Sequence, residues 1–319
     1  MPSCVHICLL DLLILGVSLS NFFVISSKPQ LHVLSLFPGG ERSGLDIAAQ
    51  MAANDINDAT DILTDYEFIL HINNTNPNDP KQDNKAMAER FLYHHIYEGP
   101  AIPILVGTYF SSESEILCES SALWDITQIS YGAVSPRLSD RNRCPTFYRT
   151  IYSSVQQNLL RVKLLKHFGW DRVAIVAQND LLFTAVSDNL RRLLEAENIT
   201  VVASELFLND ASGTMRYIKE KDARIIIGLF YEPQARMALC EAYKQGIYGG
   251  RYAWIIRSIG FENPDFLYEQ DPAITCTGPD LAKAAEGAIT TTWKLTTDST
   301  ATMPTGKVLS NEMLIHYYR

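Results

Sequence analysis

Short apolar runs alternate with segments of helical periodicity along most of this chain. Residues 32–37 form an apolar run, and in residues 45–56 the apolar positions recur every three to four residues. Residues 66–72 form a second apolar run, and residues 85–97 again show the helical period. Runs of this length predict strands, and the longer period predicts amphipathic helices. Strands separated by helices pair in parallel, so the pattern predicts an α/β fold.

The alternation breaks once and then restarts, which predicts two lobes. Residues 136–145 are polar and rich in proline and arginine, and strand and helix patterns resume after them. We predict a two-lobed α/β fold, each lobe a parallel sheet flanked by helices. The predicted divisions are 1–27 leader, 28–150 lobe 1, 151–285 lobe 2, and 286–319 an incomplete return crossing toward lobe 1.

Residues 222–233 hold the sharpest strand signal in the sequence. Five residues, Ile225 to Leu229, are apolar apart from Gly228, and charge bounds them on both sides. Such a run is typical of a strand buried on both faces in the middle of a parallel sheet. Because ligands bind beyond the carboxyl ends of such strands, Tyr231 is a candidate binding residue. The alternative is that Tyr231 only caps the core beside the next helix.

Composition narrows the class of protein. The 319 residues are 47% hydrophobic, enough for one large core or two ordinary ones, and the net charge is −9. An acidic balance spread along the chain argues against a nucleic-acid partner.

Residues 1–27 resemble a secretory signal, being apolar with small residues near their end. They lack a leading Lys or Arg and contain Asp11, so an uncleaved anchor or a mis-assigned start remains the alternative. No second run of membrane-spanning length follows residue 27.

Two other features suit the secretory pathway. Asn73 and Asn198 each begin an N-glycosylation acceptor triplet, which we place in polar turns. Four cysteines follow the leader, an even number that suits an oxidising compartment: Cys118, Cys144, Cys240 and Cys276.

The cysteine spacings match neither a CxxC motif nor a zinc site. We pair Cys240 with Cys276, and Cys118 with Cys144. In the alternative arrangement Cys118 is a buried free thiol in a helix.

The motifs of common enzyme classes are absent. The sequence contains no GxxxxGK[ST], HExxH or GxSxG. His94 and His95 are adjacent, so on a helix they cannot share a metal as an i, i+4 pair can. The glycines after residue 37 lack the Lys of a phosphate loop and predict a tight turn. We therefore expect no enzyme and no cofactor.

A series of motifs resembles one receptor family. LFPGG, SYG, PTFYRT, RVKLLKHFGW, DARIIIGLFYE, CEAYK and ITCT occur in that order. Together they resemble the extracellular venus-flytrap domain of the metabotropic GABA (GABA-B) receptors, which are class C G-protein-coupled receptors. The resemblance covers about residues 29–319. It implies two α/β lobes that close on a small amino-acid-like agonist, and it also implies the Cys240–Cys276 disulfide.

The resemblance carries some ligand-binding residues over to this chain. The family's carboxylate-holding serine of the first lobe falls on Ser111, with Ser112 as its neighbour. The family's glycine after the SY pair is Gly132, and its second-lobe tyrosine is Tyr231.

Other family contacts are changed. A second serine, a histidine and a tryptophan of the GABA site fall on Val134, Ile151 and near Ile259. The acid that would hold the ligand amine falls beyond Arg319. These losses leave GABA itself in doubt as the agonist.

The resemblance implies three partners and a location. The partners are a small amino-acid-like ligand, a receptor dimer partner, and a heterotrimeric G protein reached through a membrane domain absent from this chain. The location is the extracellular face of the plasma membrane. Two alternatives stay open: a non-binding partner subunit of a receptor heterodimer, and a secreted small-molecule-binding protein.

Overall fold

The computed structural model describes residues 27–39, 44–75, 84–257, 264–269 and 271–291. Residues 1–26 of the predicted leader, Ile259, and residues 292–319 lie outside this part of the chain.

Ten strands and eight α-helices alternate through the described residues. In chain order they are β1 (Gln30–Phe37), α1 (Gly44–Asp58), β2 (Glu67–Asn74), α2 (Asn84–Tyr97), β3 (Ile104–Val106), α3 (Ser111–Leu123), β4 (Thr127–Ser130), β5 (Phe147–Arg149), α4 (Ser154–His167), β6 (Arg172–Gln178), α5 (Leu181–Ala196), β7 (Thr200–Phe207), α6 (Ser212–Glu220), β8 (Ile225–Leu229), α7 (Glu232–Gln245), β9 (Ala253–Arg257), α8 (Gly278–Ala285) and β10 (Ile289–Thr291). Short 3₁₀ helices span Pro136–Ser139 and Pro264–Tyr268.

The strands form two parallel sheets of five strands each. The order is β2-β1-β3-β4-β5 in the first sheet and β10-β9-β8-β6-β7 in the second. Read from the other edge, the second sheet repeats the connectivity of the first. The predicted two-lobed α/β fold is therefore confirmed, with the first sheet in lobe 1 and the second in lobe 2. The lobe boundaries at residues 28, 151 and 286 stay predictions.

Strand β8 lies in the middle of the second sheet, between β6 and β9. Ile226 contributes to one apolar cluster, together with Trp254 of β9. Ile227 and Leu229 contribute to a second cluster on the opposite face. Both faces of β8 are thus covered, which explains why its sequence is a continuous apolar run and not an alternating one.

Strands β5 and β10 lie at the edges of their sheets. Phe147–Arg149 forms β5, which pairs with β4 at the edge of the first sheet. Ile289–Thr291 forms β10, which pairs with β9 at the edge of the second. The start of the predicted return crossing thus extends the lobe 2 sheet. The preceding helix, α8, has a capping box between Thr277 and Asp280 that the sequence analysis did not recognise.

Each lobe contains one disulfide. Cys118 of α3 is bonded to Cys144 with a Cα–Cα distance of 5.2 Å, and Cys240 of α7 is bonded to Cys276 at 5.5 Å. The free-thiol alternative for Cys118 is therefore wrong in this structure. Each bond joins a helix to a loop further along the same lobe: Cys144 lies just before β5, and Cys276 lies just before α8.

Three histidines pack together on lobe 1. Nδ1 of His32 lies 2.9 Å from Nε2 of His71. The ring centroids of His71 and His95 are 4.9 Å apart. Burial lowers the pKa of His71, and the charge of His32 lowers it further. Burial also lowers the pKa of His95, as do the charges of His71, His94 and His32.

We predict that acid destabilises lobe 1 through this cluster. Because the folded state lowers the pKa of His71 and His95, the unfolded chain binds more protons as the pH falls below about 6.5. The free energy of unfolding should be highest above that pH and should fall between pH 7.5 and 5.5. Thermal unfolding across this range measures it, and His95→Gln should reduce the pH dependence. His167→Gln, at an exposed site, is the control; an unchanged slope in His95→Gln would contradict the prediction.

Candidate functional site

A cavity of about 350 Å³ lies between the two lobes. Lobe 1 contributes residues from the starts of α2 and α3, and lobe 2 contributes residues that follow β6 and β8. The lining residues are Asn84, Lys85, Phe110, Ser112, Glu113, Asp180 and Tyr231. The β6–β8 pair is the point where the strand order of the second sheet reverses, and ligands of open α/β sheets bind at such points. The volume is in the range of small-molecule sites.

The first turn of α3 presents two serines differently. Ser112 lines the cavity, whereas Ser111 is buried behind it. The Ser111 Oγ accepts hydrogen bonds from the backbone N–H groups of Val134 (3.0 Å) and Ser135 (3.1 Å). Since both acceptor positions of this hydroxyl are occupied, its remaining capacity is as a donor.

A second serine holds the turn that faces α3. The Ser130 hydroxyl donates to the carbonyl of Thr108 at 2.7 Å and accepts from the N–H of Ala133 at 2.9 Å. Within this turn Gly132 packs closely against Tyr109. A Cβ at position 132 would lie 2.6 Å from Cδ2 of Tyr109 and 2.8 Å from its carbonyl oxygen. Gly132 is therefore needed for close packing beside the cavity and does not line it.

Tyr231 is the last residue before α7 and has extended backbone geometry. Its N–H donates to Oε1 of Gln178 at 3.1 Å. Its ring makes an edge-to-face contact with Phe183, with centroids 4.7 Å apart, and the Arg257 guanidinium lies 5.7 Å from its centroid. Burial raises the pKa of Tyr231 to about 12, although Arg257 opposes the shift. The hydroxyl therefore stays protonated at neutral pH.

Val134 and Ile151, which the family resemblance placed at ligand contacts, pack in one apolar cluster. Val134 is buried and belongs to the same apolar cluster as Ile227 and Leu229 of lobe 2, and Ile151 packs against that cluster. Both side chains are hydrocarbon, and Val134, which belongs to lobe 1, packs against lobe 2 through this cluster. Val134 therefore contributes to the contact between lobes.

The cavity contains charged groups of both signs. Lys85 lies at the start of α2, and Glu113 lies in the first turn of α3, where the Thr75 hydroxyl donates to its carboxylate at 3.3 Å. On lobe 2, the carboxylate of Asp180 caps α5 by accepting from the N–H of Leu182 at 2.9 Å. A ligand with separated positive and negative ends matches this set of charges.

Sequence reasoning missed two lobe 2 residues that the structure places beside Tyr231. Asp180 follows β6, and Arg257 is the last residue of β9. Both residues lie at the carboxyl ends of predicted strands, which is the reason that Tyr231 was selected as a candidate. The same reasoning therefore selects Asp180 and Arg257 from the sequence.

The two glycosylation triplets lie at sheet edges. Asn73 is in β2, the edge strand of the first sheet, and not in a turn as the sequence analysis expected. Asn198 is exposed, with a φ of 58°, in the turn that precedes β7, the edge strand of the second sheet.

Two kinds of feature are absent from the part of the chain that the structure describes. Within it, no helix is both long enough and apolar enough to cross a membrane. Nor do three His, Cys, Asp or Glu side chains in these residues meet in a way that could hold a metal ion.

Comparison with known proteins identifies similar sequences. Residues 44–311 match the family described as "Receptor family ligand binding region". The chain is 37% identical over 270 residues to the mouse gamma-aminobutyric acid type B receptor subunit 1, covering 83% of this chain and 27% of that protein. It is 33% identical over 214 residues to the human type B receptor subunit 2, covering 66% and 22%. The chain thus spans about a quarter of the length of these relatives.

A more distant relative is an enzyme-linked receptor. Receptor-type guanylate cyclase gcy-8 of Caenorhabditis elegans is 26% identical over 170 residues, covering 50% of this chain and 15% of that protein. The ordered motifs' resemblance to the GABA-B receptor ligand-binding domain is confirmed by the two subunit matches.

We predict that Gly132→Ala destabilises the chain by about 1–3 kcal/mol, because the added methyl group overlaps Tyr109 and either the ring or the turn must move. Gly213→Ala is the matched control. Position 213 lies in α6 with open space around it, so the added Cβ should stabilise by about 0.5–1 kcal/mol. Chemical denaturation of both variants measures the difference, and equal stability would contradict the close packing of Gly132.

Proposed function

Because the chain belongs to the receptor family ligand-binding region, we propose that it binds a small amino-acid-like agonist between its two lobes and signals by lobe closure. The similarity to the two gamma-aminobutyric acid type B receptor subunits supports placing this chain among receptors.

The cavity between the lobes carries this proposal. It contains an acid on lobe 2, Asp180, and both an amine and an acid on lobe 1, Lys85 and Glu113. Ser112 adds a hydroxyl and Tyr231 a protonated phenol. A zwitterion pairs each of its ends with an opposite charge in this cavity, and an uncharged ligand does not. We propose that the ligand carboxylate lies near Ser112 and the ligand amine near Asp180.

Closure follows from where these groups lie. Ser112 and Tyr231 belong to different lobes, so a ligand that contacts both binds more tightly when the lobes approach. A ligand shifts a two-state equilibrium only by the difference between its affinities for the two states. The agonist's free energy of closure therefore comes from the contacts that it makes with both lobes at once.

Signalling depends on parts of the receptor outside this chain. We propose that the intact receptor carries this region on the extracellular face of the plasma membrane, and that a membrane domain passes closure to a heterotrimeric G protein. The similarity to GABA-B receptor subunits supports this arrangement.

A second candidate function is that of a partner subunit in a receptor heterodimer. An exposed aromatic patch on lobe 1 supports it: Tyr97, Leu123 and Trp124 are 69%, 84% and 48% exposed. The rings of Tyr97 and Trp124 meet edge to face at 5.7 Å. Exposed aromatic residues of this kind are enriched at protein interfaces. We propose that the patch pairs with lobe 1 of a second receptor subunit.

We predict that Tyr231→Ala weakens agonist binding by about tenfold or more, because it removes both the ring and the hydroxyl from the lobe 2 side of the cavity. Titration calorimetry with a panel of amino acids identifies the ligand and then measures the loss. Tyr231→Phe should retain the part of the affinity that depends on the ring.

Tyr217→Ala is the control for this experiment, since Tyr217 is a lobe 2 tyrosine outside the cavity. In the intact receptor, Tyr231→Ala should shift the dose response without loss of surface expression. An unchanged dose response would contradict this binding site. An absence of heat with every amino acid would favour the partner-subunit function.

We predict that Trp124→Ala weakens pairing with a second receptor subunit by roughly tenfold, because truncating a buried interface tryptophan costs about 1–4 kcal/mol. Co-purification and sedimentation of the two subunits measure it. Trp170→Ala, on lobe 2, is the control. Asn73 lines a groove with Tyr93 and Tyr97, so carbohydrate on Asn73 should oppose pairing as well. Equal pairing by Trp124→Ala and the unaltered chain would rule out this patch as the interface.

A further inference from the structure

A groove of about 700 Å³ follows β7, the outer strand of the second sheet. Residues 200–205 line it along most of the length of this strand. Helix α5 contributes Arg191 and Glu195, and helix α6 contributes Tyr217. Asn198, the first residue of the second glycosylation triplet, lines the groove as well. The attachment point for carbohydrate therefore opens into a depression of the protein surface.

The local backbone presents the triplet at Asn198 to solvent. Asn198 and Thr200 are exposed, whereas Ile199 between them is only 6% exposed and belongs to an apolar cluster. Asn198 has a φ of 58°, in the left-handed region that asparagine adopts more readily than most residues. Its N–H donates to the carbonyl oxygen of Glu195 at 3.1 Å. Both polar side chains of the triplet are thus accessible for modification.

The outer side of β7 offers hydrogen bonds to a polyhydroxyl ligand. This strand pairs with β6 on one side, and the described part of the chain supplies no strand on the other. The backbone N–H and C=O groups on that side require other partners. Sugar hydroxyl and acetamido groups both donate and accept hydrogen bonds, so they match these backbone groups. The carboxylates of Glu195 and Glu205 add acceptors along the groove, and the guanidinium of Arg191 adds donors.

Tyr217 supplies an apolar surface near the attachment point. Helices α5 and α6 run antiparallel to β7, because each of them connects two parallel strands. Their last turns therefore lie beside the first residues of β7, and Glu195 and Tyr217 belong to these turns. Tyr217 is 37% exposed, and the ammonium of Lys221 lies 5.0 Å from the centroid of its ring. A partly exposed aromatic ring presents a surface on which the C–H groups of a sugar ring can pack.

We propose that this groove is a carbohydrate-binding site for the glycan attached to Asn198. The first N-acetylglucosamine packs on Tyr217 and donates a hydrogen bond to Glu195, and the following sugars lie along β7 toward Arg191 and Glu205. Because the ligand is tethered at the groove, its effective concentration is on the order of millimolar or above. Contacts too weak to hold a free sugar are then sufficient. The inference rests on glycosylation of Asn198 and does not depend on the agonist proposal.

Amide hydrogen exchange tests the proposal on chain secreted by eukaryotic cells, after mass spectrometry has established whether Asn198 is modified. One sample is trimmed enzymatically to a single N-acetylglucosamine on each modified asparagine, and a second sample is stripped of all sugar. Exchange in residues 200–205 should be roughly threefold to tenfold slower with the single sugar, because its hydrogen bonds protect the backbone of β7. Residues of β6 should exchange equally in both samples.

Variants separate the packing of the sugar from its attachment. Tyr217→Ala should remove most of the slowing while Asn198 stays fully modified, and Tyr217→Phe should retain the slowing. Thr200→Ala removes the acceptor triplet and should exchange like the stripped chain, whereas Thr200→Ser keeps the triplet and the slowing. The comparison of trimmed and stripped samples needs no substitution, so it decides the matter if Tyr217→Ala does not fold.

Several results would overturn the proposal. An unmodified Asn198 in the secreted chain removes its premise, and equal exchange with and without sugar removes the binding site. Full slowing in Tyr217→Ala would exclude packing of the sugar on this ring. Slow exchange of β7 that depends on protein concentration and not on sugar would overturn the proposal as well, and would assign the groove to a second copy of this chain.

Discussion

The parallel pairing of β8 between β6 and β9 is the constraint on which the second lobe depends. Parallel strands in one sheet end at the same edge, so the residues that follow them come together whatever their separation in sequence. Asp180, Tyr231 and Arg257 follow or end three adjacent strands and are neighbours for this reason. The apolar clusters on both faces of β8 fix the sheet, and the sheet then fixes the three polar side chains at its edge.

Local patterns were sufficient to predict most of the fold. The strand at Ile225–Leu229 has the bounds expected from its apolar run, because burial on both faces leaves an uninterrupted signal. Strand β10 lies within the segment expected to cross after residue 285, whereas helix α8 was missed. A helix of only eight residues is too short to show a clear helical period in the sequence.

The candidate site was predictable only in part, because its chemistry depends on contacts between distant residues. Tyr231 follows from one strand, but its contacts with Phe183 and Arg257 require knowing which residues of α5 and β9 meet at the end of the sheet. Ser111 illustrates a different limit. The family resemblance selects Ser111 as a ligand-binding residue. In the structure its hydroxyl already accepts hydrogen bonds from the N–H groups of Val134 and Ser135, which are more than 20 residues away in the sequence, so it can only donate to a ligand.

The positions of the two glycosylation triplets have a consequence for solubility. An edge strand exposes unpaired N–H and C=O groups, to which a strand from another molecule can add. Asn73 lies within β2, and Asn198 lies two residues before β7 begins. Strands β2 and β7 are the two longest edge strands of the described sheets. Carbohydrate at either position would cover such an edge with a bulky hydrated group. The opposite edge of the first sheet, β5, is three residues long and offers little to pair with. Glycosylation in this chain would therefore protect against edge-to-edge aggregation during secretion, independently of any ligand.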